Sequence, residues 1–306
     1  MVQPQLTAAV AAETHLAALV GAVRSGEREA SLRMPPALYP FASVALESPN
    51  ATVLVVTATA RDAEDLARAI GELIGAENVA EFPAWETLPH ERLSPRSDTV
   101  GRRLAVLRQL VHGGRSRPRV VVAPVRSIMQ PQVKGLADIE PVEIVVGQEV
   151  ELDLVVQRLA GAAYSRVDLV ERRGEFAVRG GIVDVFPPTE DHPVRVEFWG
   201  DTVEDVRQFA VADQRTLVPV ARLWAPPCRE LLLTPQVRER AADLAKSHPS
   251  LAELFTKLAE GHAVEGMESL APVLVGEMEL LVDLLPAGST VVLTDPEKIR
   301  ARAADL

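Results

Sequence analysis

Apolar and polar positions alternate with a period of two between Gly174 and Phe209, GEFAVRGGIVDVFPPTEDHPVRVEFWGDTVEDVRQF. That period predicts successive β-strands joined by short polar turns. The first strand runs from Phe176 to Phe186 and is interrupted by Gly180-Gly181. Pro187-Pro188 closes it, because proline fixes φ and cannot donate to a ladder. The second is Val194 to Trp199, and Gly200-Asp201 makes the tight turn into the third, Val203 to Phe209. In the middle strand Val194, Val196 and Phe198 fall on one face, and Arg195, Glu197 and Trp199 on the other. The first face reads as core. The second sets a large aromatic among charges, with Arg179 on the neighbouring strand, the composition of a protein-binding patch.

Elsewhere the period changes. Residues 5–24 have helical spacing, and 51–56 (ATVLVV) form a continuous β-branched run, the mark of a strand buried on both faces. Thr59 or Asp62 caps a helix over 60–74 whose stripe is Ala63, Leu66, Ala67, Ile70, Leu73 and Ile74. A short strand over 79–82, a helix over 99–111 and a strand over 119–124 follow. Such alternation predicts a parallel α/β sheet with right-handed crossovers. Residues 142–146 read as a strand and 152–163 as an amphipathic helix leading into the hairpin region. After Pro226-Pro227 the pattern is helical, over 235–246 and 251–260. Residues 289–294 (STVVLT) make a last strand expected to return to the first sheet, and a helix begins at Pro296. The chain ends inside that helix, which points to a longer protein.

Length and composition narrow the classes. A chain of 306 residues with 47% apolar residues suggests two or three domains with proper cores. A net charge of -11 opposes non-specific attraction to nucleic acid. Only Lys134, Lys246, Lys257 and Lys298 are lysines among 32 basic residues, which fits a GC-rich genome as readily as a function. Cys228 is alone, so neither an internal disulfide nor a thiolate zinc site is expected. With neither a signal peptide nor an apolar run of bilayer length, a soluble, cytoplasmic chain is expected.

A parallel α/β sheet invites a nucleotide-binding reading, but the glycine-rich loop ending in Lys-Ser or Lys-Thr is absent. The residues before 51, ASVALESPN, offer no lysine for phosphate, and Lys246-Ser247 lies in a helical segment without a nearby glycine. Asp295-Pro296-Glu297 follows the last strand where a magnesium ligand often stands, but without the phosphate loop helix capping is the better reading. His90-Glu91 lacks a partner histidine at helical spacing, and the six histidines read as surface residues. Ser165 has no nucleophile-elbow context. Trp85 and Pro89, in a proline-punctuated loop, are expected to pack on the sheet edge. No catalytic, cofactor or metal residue is assigned.

The hairpin RRGEFAVRGGIVDVFPPTEDHPVRVEFWGDTVEDVRQF followed by VADQRTL, the upstream FPAWETLPHERLSPRSDTVGRRLAVLRQL and the later LVDLLPAGSTVVLTDPEKI resemble the N-terminal region of the bacterial transcription-repair coupling factors (Mfd). The resemblance runs from about residue 50 to the end, and residues 1–40 carry little signal. It implies an α/β fold: a degenerate helicase-like parallel sheet domain, similar to that of UvrB, with a smaller inserted α+β domain carrying an antiparallel hairpin sheet. The implied division is domain 1a over 1–140, domain 2 over 141–225 and domain 1b over 226–306. Domain 2 of this family resembles a docking surface for UvrA, the damage-recognition ATPase. Its two binding arginines fall here on Arg179 and Arg195, and its aromatic on Trp199, where the family commonly has phenylalanine. The resemblance thus implies a non-catalytic module that recruits UvrA to stalled RNA polymerase. ATP, double-stranded DNA and RNA polymerase would be handled by other domains of a longer protein. The alternatives are an active UvrB-like, ATP-dependent damage-binding helicase, or an intramolecular brake covered by a C-terminal domain.

Overall fold

Strands with every position apolar need cover on both faces, and that requirement builds the first part of the molecule. In the computed structural model, which describes residues 10 and 12–306, the chain divides into two compact units. One comprises the residues up to 84 with 106–131 and 280–306; the other comprises 85–105 and 132–279.

The first unit holds a four-stranded parallel sheet in the order Thr290–Leu293, Val53–Thr57, Val120–Pro124, Val79–Glu81. Val53–Val56 and Val120–Ala123 are buried throughout, as their β-branched composition predicts. One sheet face packs Val53, Val55, Val120 and Val122 against Leu16, Val20, Ala42, Ala63, Leu66 and Ile70 of three helices, Thr14–Arg24, Tyr39–Ala45 and Ala60–Ile74. Thr59, rather than Asp62, is the cap of the third helix: its hydroxyl accepts from the Asp62 amide. The helix expected over 5–24 is observed from Thr14, with the Glu13 carboxylate accepting from the His15 and Leu16 amides. The part of that expectation on residues 5–9 and 11 lies outside the described residues. The last strand returns as expected and pairs in parallel with 53–57, Val53 opposite Thr290. Asp295 caps the following helix by accepting from the Lys298 amide.

The second unit is built on a six-stranded sheet. Its strands are β1 (Ser165–Arg166), β2 (Glu175–Arg179), β3 (Ile182–Val185), β4 (Val194–Trp199), β5 (Thr202–Phe209) and β6 (Thr216–Pro219). They lie side by side in chain order, β1 parallel to β2 and every later pair antiparallel. The strand expected over 176–186 is therefore a hairpin, with Gly180-Gly181 as its two-residue turn. Glycine is required at 181 because a Cβ there would stand 2.8 Å from the Phe198 carbonyl oxygen. Phe176, Val183, Val185, Val194, Val196, Val203 and Val206 form the inner face. They pack on Val155 and Leu159 of the helix Leu152–Gly161, and on Ile144 and Leu223 of the antiparallel ribbon Val142–Val145/Arg222–Ala225. A separate helical cluster gathers Leu231, Leu244, Phe255, Met267 and Leu274 around the helices Pro235–Ser247 and Ala252–Ala259.

Trp85 has a polar partner that the sequence pattern does not indicate. It is buried, with its indole N–H donating to Glu230 Oε1 at 3.0 Å. Arg103 donates to the same oxygen at 2.5 Å, so a buried ion pair fixes the tryptophan. The side chain of Pro89 lies outside what the structure describes.

Candidate docking face

The outer face of the six-stranded sheet follows from the pleat. Inward Phe176, Val178, Val183, Val185, Val194 and Val196 leave Ala177, Arg179, Ile182, Asp184, Arg195, Glu197 and Trp199 pointing outward. The turns at Gly180-Gly181 and Gly200-Asp201 lie at the same end of the sheet, since Ile182 faces Glu197 and Phe198 donates to the Gly181 carbonyl. Arg179 and Trp199, each immediately before a turn, stand at that end. Gly200 has φ +60°, the left-handed conformation that a two-residue hairpin turn needs. Trp199 is 77% exposed, and Thr202 is its cross-strand partner.

Register brings Asp184 between Ala177 on β2 and Arg195 on β4. Its carboxylate is 1% exposed and takes both arginines. Arg195 donates from Nε to Oδ1 at 2.7 Å and from Nη2 to Oδ2 at 2.9 Å, a bidentate fork. Arg179 donates from Nη2 to Oδ2 at 2.5 Å. The hydrogen bond to Asp184 raises the Arg195 pKa, so the guanidinium stays charged. The Arg195 guanidinium also lies 4.6 Å from the centroid of the buried Phe209 ring, a cation–π contact. Alongside, Arg207 on β5 pairs with Asp205 at 2.6 Å and Glu197 at 2.7 Å. A small apolar cluster of Val170, Ala177 and Phe186 covers the sheet beyond Asp184.

The three residues singled out from sequence thus divide. Arg179 (47% exposed) and Arg195 (16% exposed) converge on one carboxylate, while Trp199 stands apart as an open aromatic surface. Asp184 and Arg207 were not singled out, although half the signal was present. The two-residue turn at Gly180-Gly181 places Asp184 opposite Ala177, two positions from Arg179. The contact with Arg195 crosses the eight-residue connection 186–193, whose register no turn rule sets.

All six histidines are exposed, and among the described residues there is no cluster of three metal-ligating side chains. Burial pushes the Cys228 thiol up to about 12, out of reach of thiolate chemistry at neutral pH. In the first unit a recess of about 380 Å³ is lined by Asn50, Arg115, Arg117 and Arg119 among others. There Arg119 pairs with Glu47 and Arg117 donates to the Leu110 carbonyl. This recess lies at the amino ends of the parallel strands, whereas open α/β sheets take nucleotides at the carboxyl ends.

Residues 142–230 match the family model of the UvrB interaction domain. That interval contains the whole face, and the chain resembles a segment of the transcription-repair-coupling factors, as its motifs imply. It is 52% identical over 269 residues to the transcription-repair-coupling factor of Mycobacterium tuberculosis, 83% of this chain and 22% of that protein. It is 33% identical over 311 residues to that of Myxococcus xanthus, 94% and 26% respectively. With the Escherichia coli factor it shares 30% over 223 residues, 71% and 19%. The chain therefore spans about a quarter or less of the curated relatives it matches. Within the UvrB interaction domain, Arg179, Asp184, Arg195 and Trp199 lie on consecutive antiparallel strands of one sheet. Among the described residues no helix is long and apolar enough to cross a membrane.

Proposed function

We propose that this chain is a non-catalytic, UvrB-like module of a transcription-repair coupling factor that binds UvrA through the outer face of its UvrB interaction domain. The carrying observation is Trp199, 77% exposed at a strand end, on the same sheet face as the arginine pair held by Asp184. An exposed tryptophan sharing a sheet face with arginines is the pattern of an energetic anchor, with the arginines suited to partner carboxylates. In the longer protein, RNA polymerase, double-stranded DNA and ATP belong to other domains. The module brings UvrA to the stalled polymerase in the cytoplasm.

The same reading takes the first unit as a helicase-like sheet without its phosphate chemistry, with domain limits near 1–140, 141–225 and 226–306. Two features support it. Strands 53–57 and 290–293, from opposite ends of the chain, pair in one parallel sheet around the intervening segment. The strand 53–57 passes into its helix through Ala58-Thr59, with neither glycine nor lysine to cradle a phosphate.

Arg179→Ala and Trp199→Ala test the docking reading. Each is expected to weaken UvrA binding in calorimetry by about 1–3 kcal/mol, roughly 5- to 150-fold in Kd, with the fold intact by circular dichroism. Wild-type affinity in both sinks the proposal. Arg195→Ala is a poorer test, because it strips two hydrogen bonds from a buried carboxylate and costs stability as well. ATP hydrolysis by the purified chain favours the active-helicase alternative. Tighter UvrA binding by this chain than by a full-length factor favours masking by a later domain.

A further inference from the structure

Arg179 and Arg195 are not independent cations. Both guanidinium groups end on Asp184, which sits one strand away from each of them and is 1% exposed. Three N–H donors reach its two oxygens: Arg195 Nε on Oδ1, and Arg195 Nη2 with Arg179 Nη2 on Oδ2. Without that carboxylate two like charges would face each other across one strand, a destabilising arrangement. With it, the two planar groups are pinned by a common acceptor while Arg179 remains half-exposed. Phe209 holds the Arg195 guanidinium from a further strand, at 4.6 Å.

We infer that Asp184 is a positioning residue for the docking face, one that aligns Arg179 and Arg195 for a carboxylate-bearing partner surface by holding both on one buried acceptor. The inference rests on the docking reading above and adds to it a residue that does not itself touch the partner. Its consequence runs against simple charge counting. Removing Asp184's charge makes the face more positive, which on long-range electrostatics alone strengthens attraction to an acidic partner. Positioning predicts the reverse, because freed arginines must be ordered again on binding.

Asp184→Asn keeps the size and one acceptor oxygen but cannot serve donors at both positions. Asp184→Glu keeps the charge and displaces it by a methylene. UvrA binding by both variants is measured by calorimetry at a temperature where circular dichroism shows the fold intact. Each is expected to bind roughly tenfold more weakly than the parent chain. In an Arg179→Ala background the loss caused by Asp184→Asn should shrink several-fold, since part of what Asp184 positions is gone. Unchanged or tighter binding by Asp184→Asn, or losses that simply add in the double variant, overturn the inference. A merely structural aspartate lowers the melting temperature and gives additive losses.

The unsubstituted chain provides a check that survives misfolding of either variant. The Arg195 Nε–H should give a resolved, slowly exchanging nitrogen-15 resonance, and a solvent-averaged signal rules the clamp out. Losses in Arg179→Ala and Trp199→Ala with none in the Asp184 variants reject positioning alone. Wild-type binding by all four rejects the docking reading itself.

Discussion

At the scale of single residues, what an arginine does here depends on what lies opposite it. Arg103 and Arg195 both end on buried carboxylates, Glu230 and Asp184. Arg61 and Arg300 belong instead to exposed pairs on helix surfaces, which contribute about 0–1 kcal/mol each. Arg103 and Glu230 are almost wholly buried, and Trp85 shares the Glu230 oxygen. Breaking such a pair from one side leaves a charge in the interior. Arg103→Met should therefore cost about 3–5 kcal/mol in a denaturant titration. Replacing both partners, Arg103→Met with Glu230→Leu, should recover much of that loss, and failure to recover it would assign the cost to packing. None of this was legible in the sequence. Positions 103 and 230 lie far apart in the chain, and a polar residue on an amphipathic helix reads as solvent-facing until its neighbour is known. The Trp85 bond is hidden for the same reason: its partner is a glutamate 145 residues away.

Elements were far easier to read. The helix over 60–74 is found at the expected limits, because its stripe and its cap are both local signals. Strand Val194–Trp199 likewise matches, since period-two alternation and a Gly-Asp turn fix it without tertiary help. The strand expected over 176–186 became the β2–β3 hairpin, because Gly180-Gly181 is a complete two-residue turn rather than an interruption. Two predictions belong to this scale. Thr59→Ala removes the hydroxyl that accepts from the Asp62 amide and should cost about 0.5–2 kcal/mol, read from a thermal melt. Gly181→Ala places a methyl against the Phe198 carbonyl and should lower the melting temperature more than Gly180→Ala, whose Cβ meets open space but has φ +60° to contend with. An equal effect at both positions would mean that the left-handed turn, not the close approach, requires glycine there.

For the molecule as a whole, stability at high pH turns on two acidic protons inside the core of the UvrB interaction domain. Cys228 and Tyr164 belong to the cluster that the sheet closes over. Tyr164 donates its hydroxyl to the Pro226 carbonyl at 2.8 Å, and the Cys228 amide donates to the Ala162 carbonyl at 2.9 Å. Burial raises both groups, Cys228 to about 12 and Tyr164 well above its ordinary value. In the unfolded chain the thiol titrates near about 8.5 and the phenol near about 10. Between those values and the folded ones the native state binds more protons than the unfolded state, so stability must fall as pH rises. Below about pH 8 both states are protonated and the contribution is fully present. The denaturation midpoint should accordingly decline from about pH 8.5 upward, first through Cys228 and then through Tyr164. Cys228→Ala should flatten the first part of that decline without moving the neutral-pH midpoint by more than a small packing loss. In the native protein at pH 8 the thiol should resist a disulfide reagent that labels it readily in urea. Fast labelling of the folded chain would mean that this core opens locally, and with it the sheet that carries Arg179, Asp184, Arg195 and Trp199.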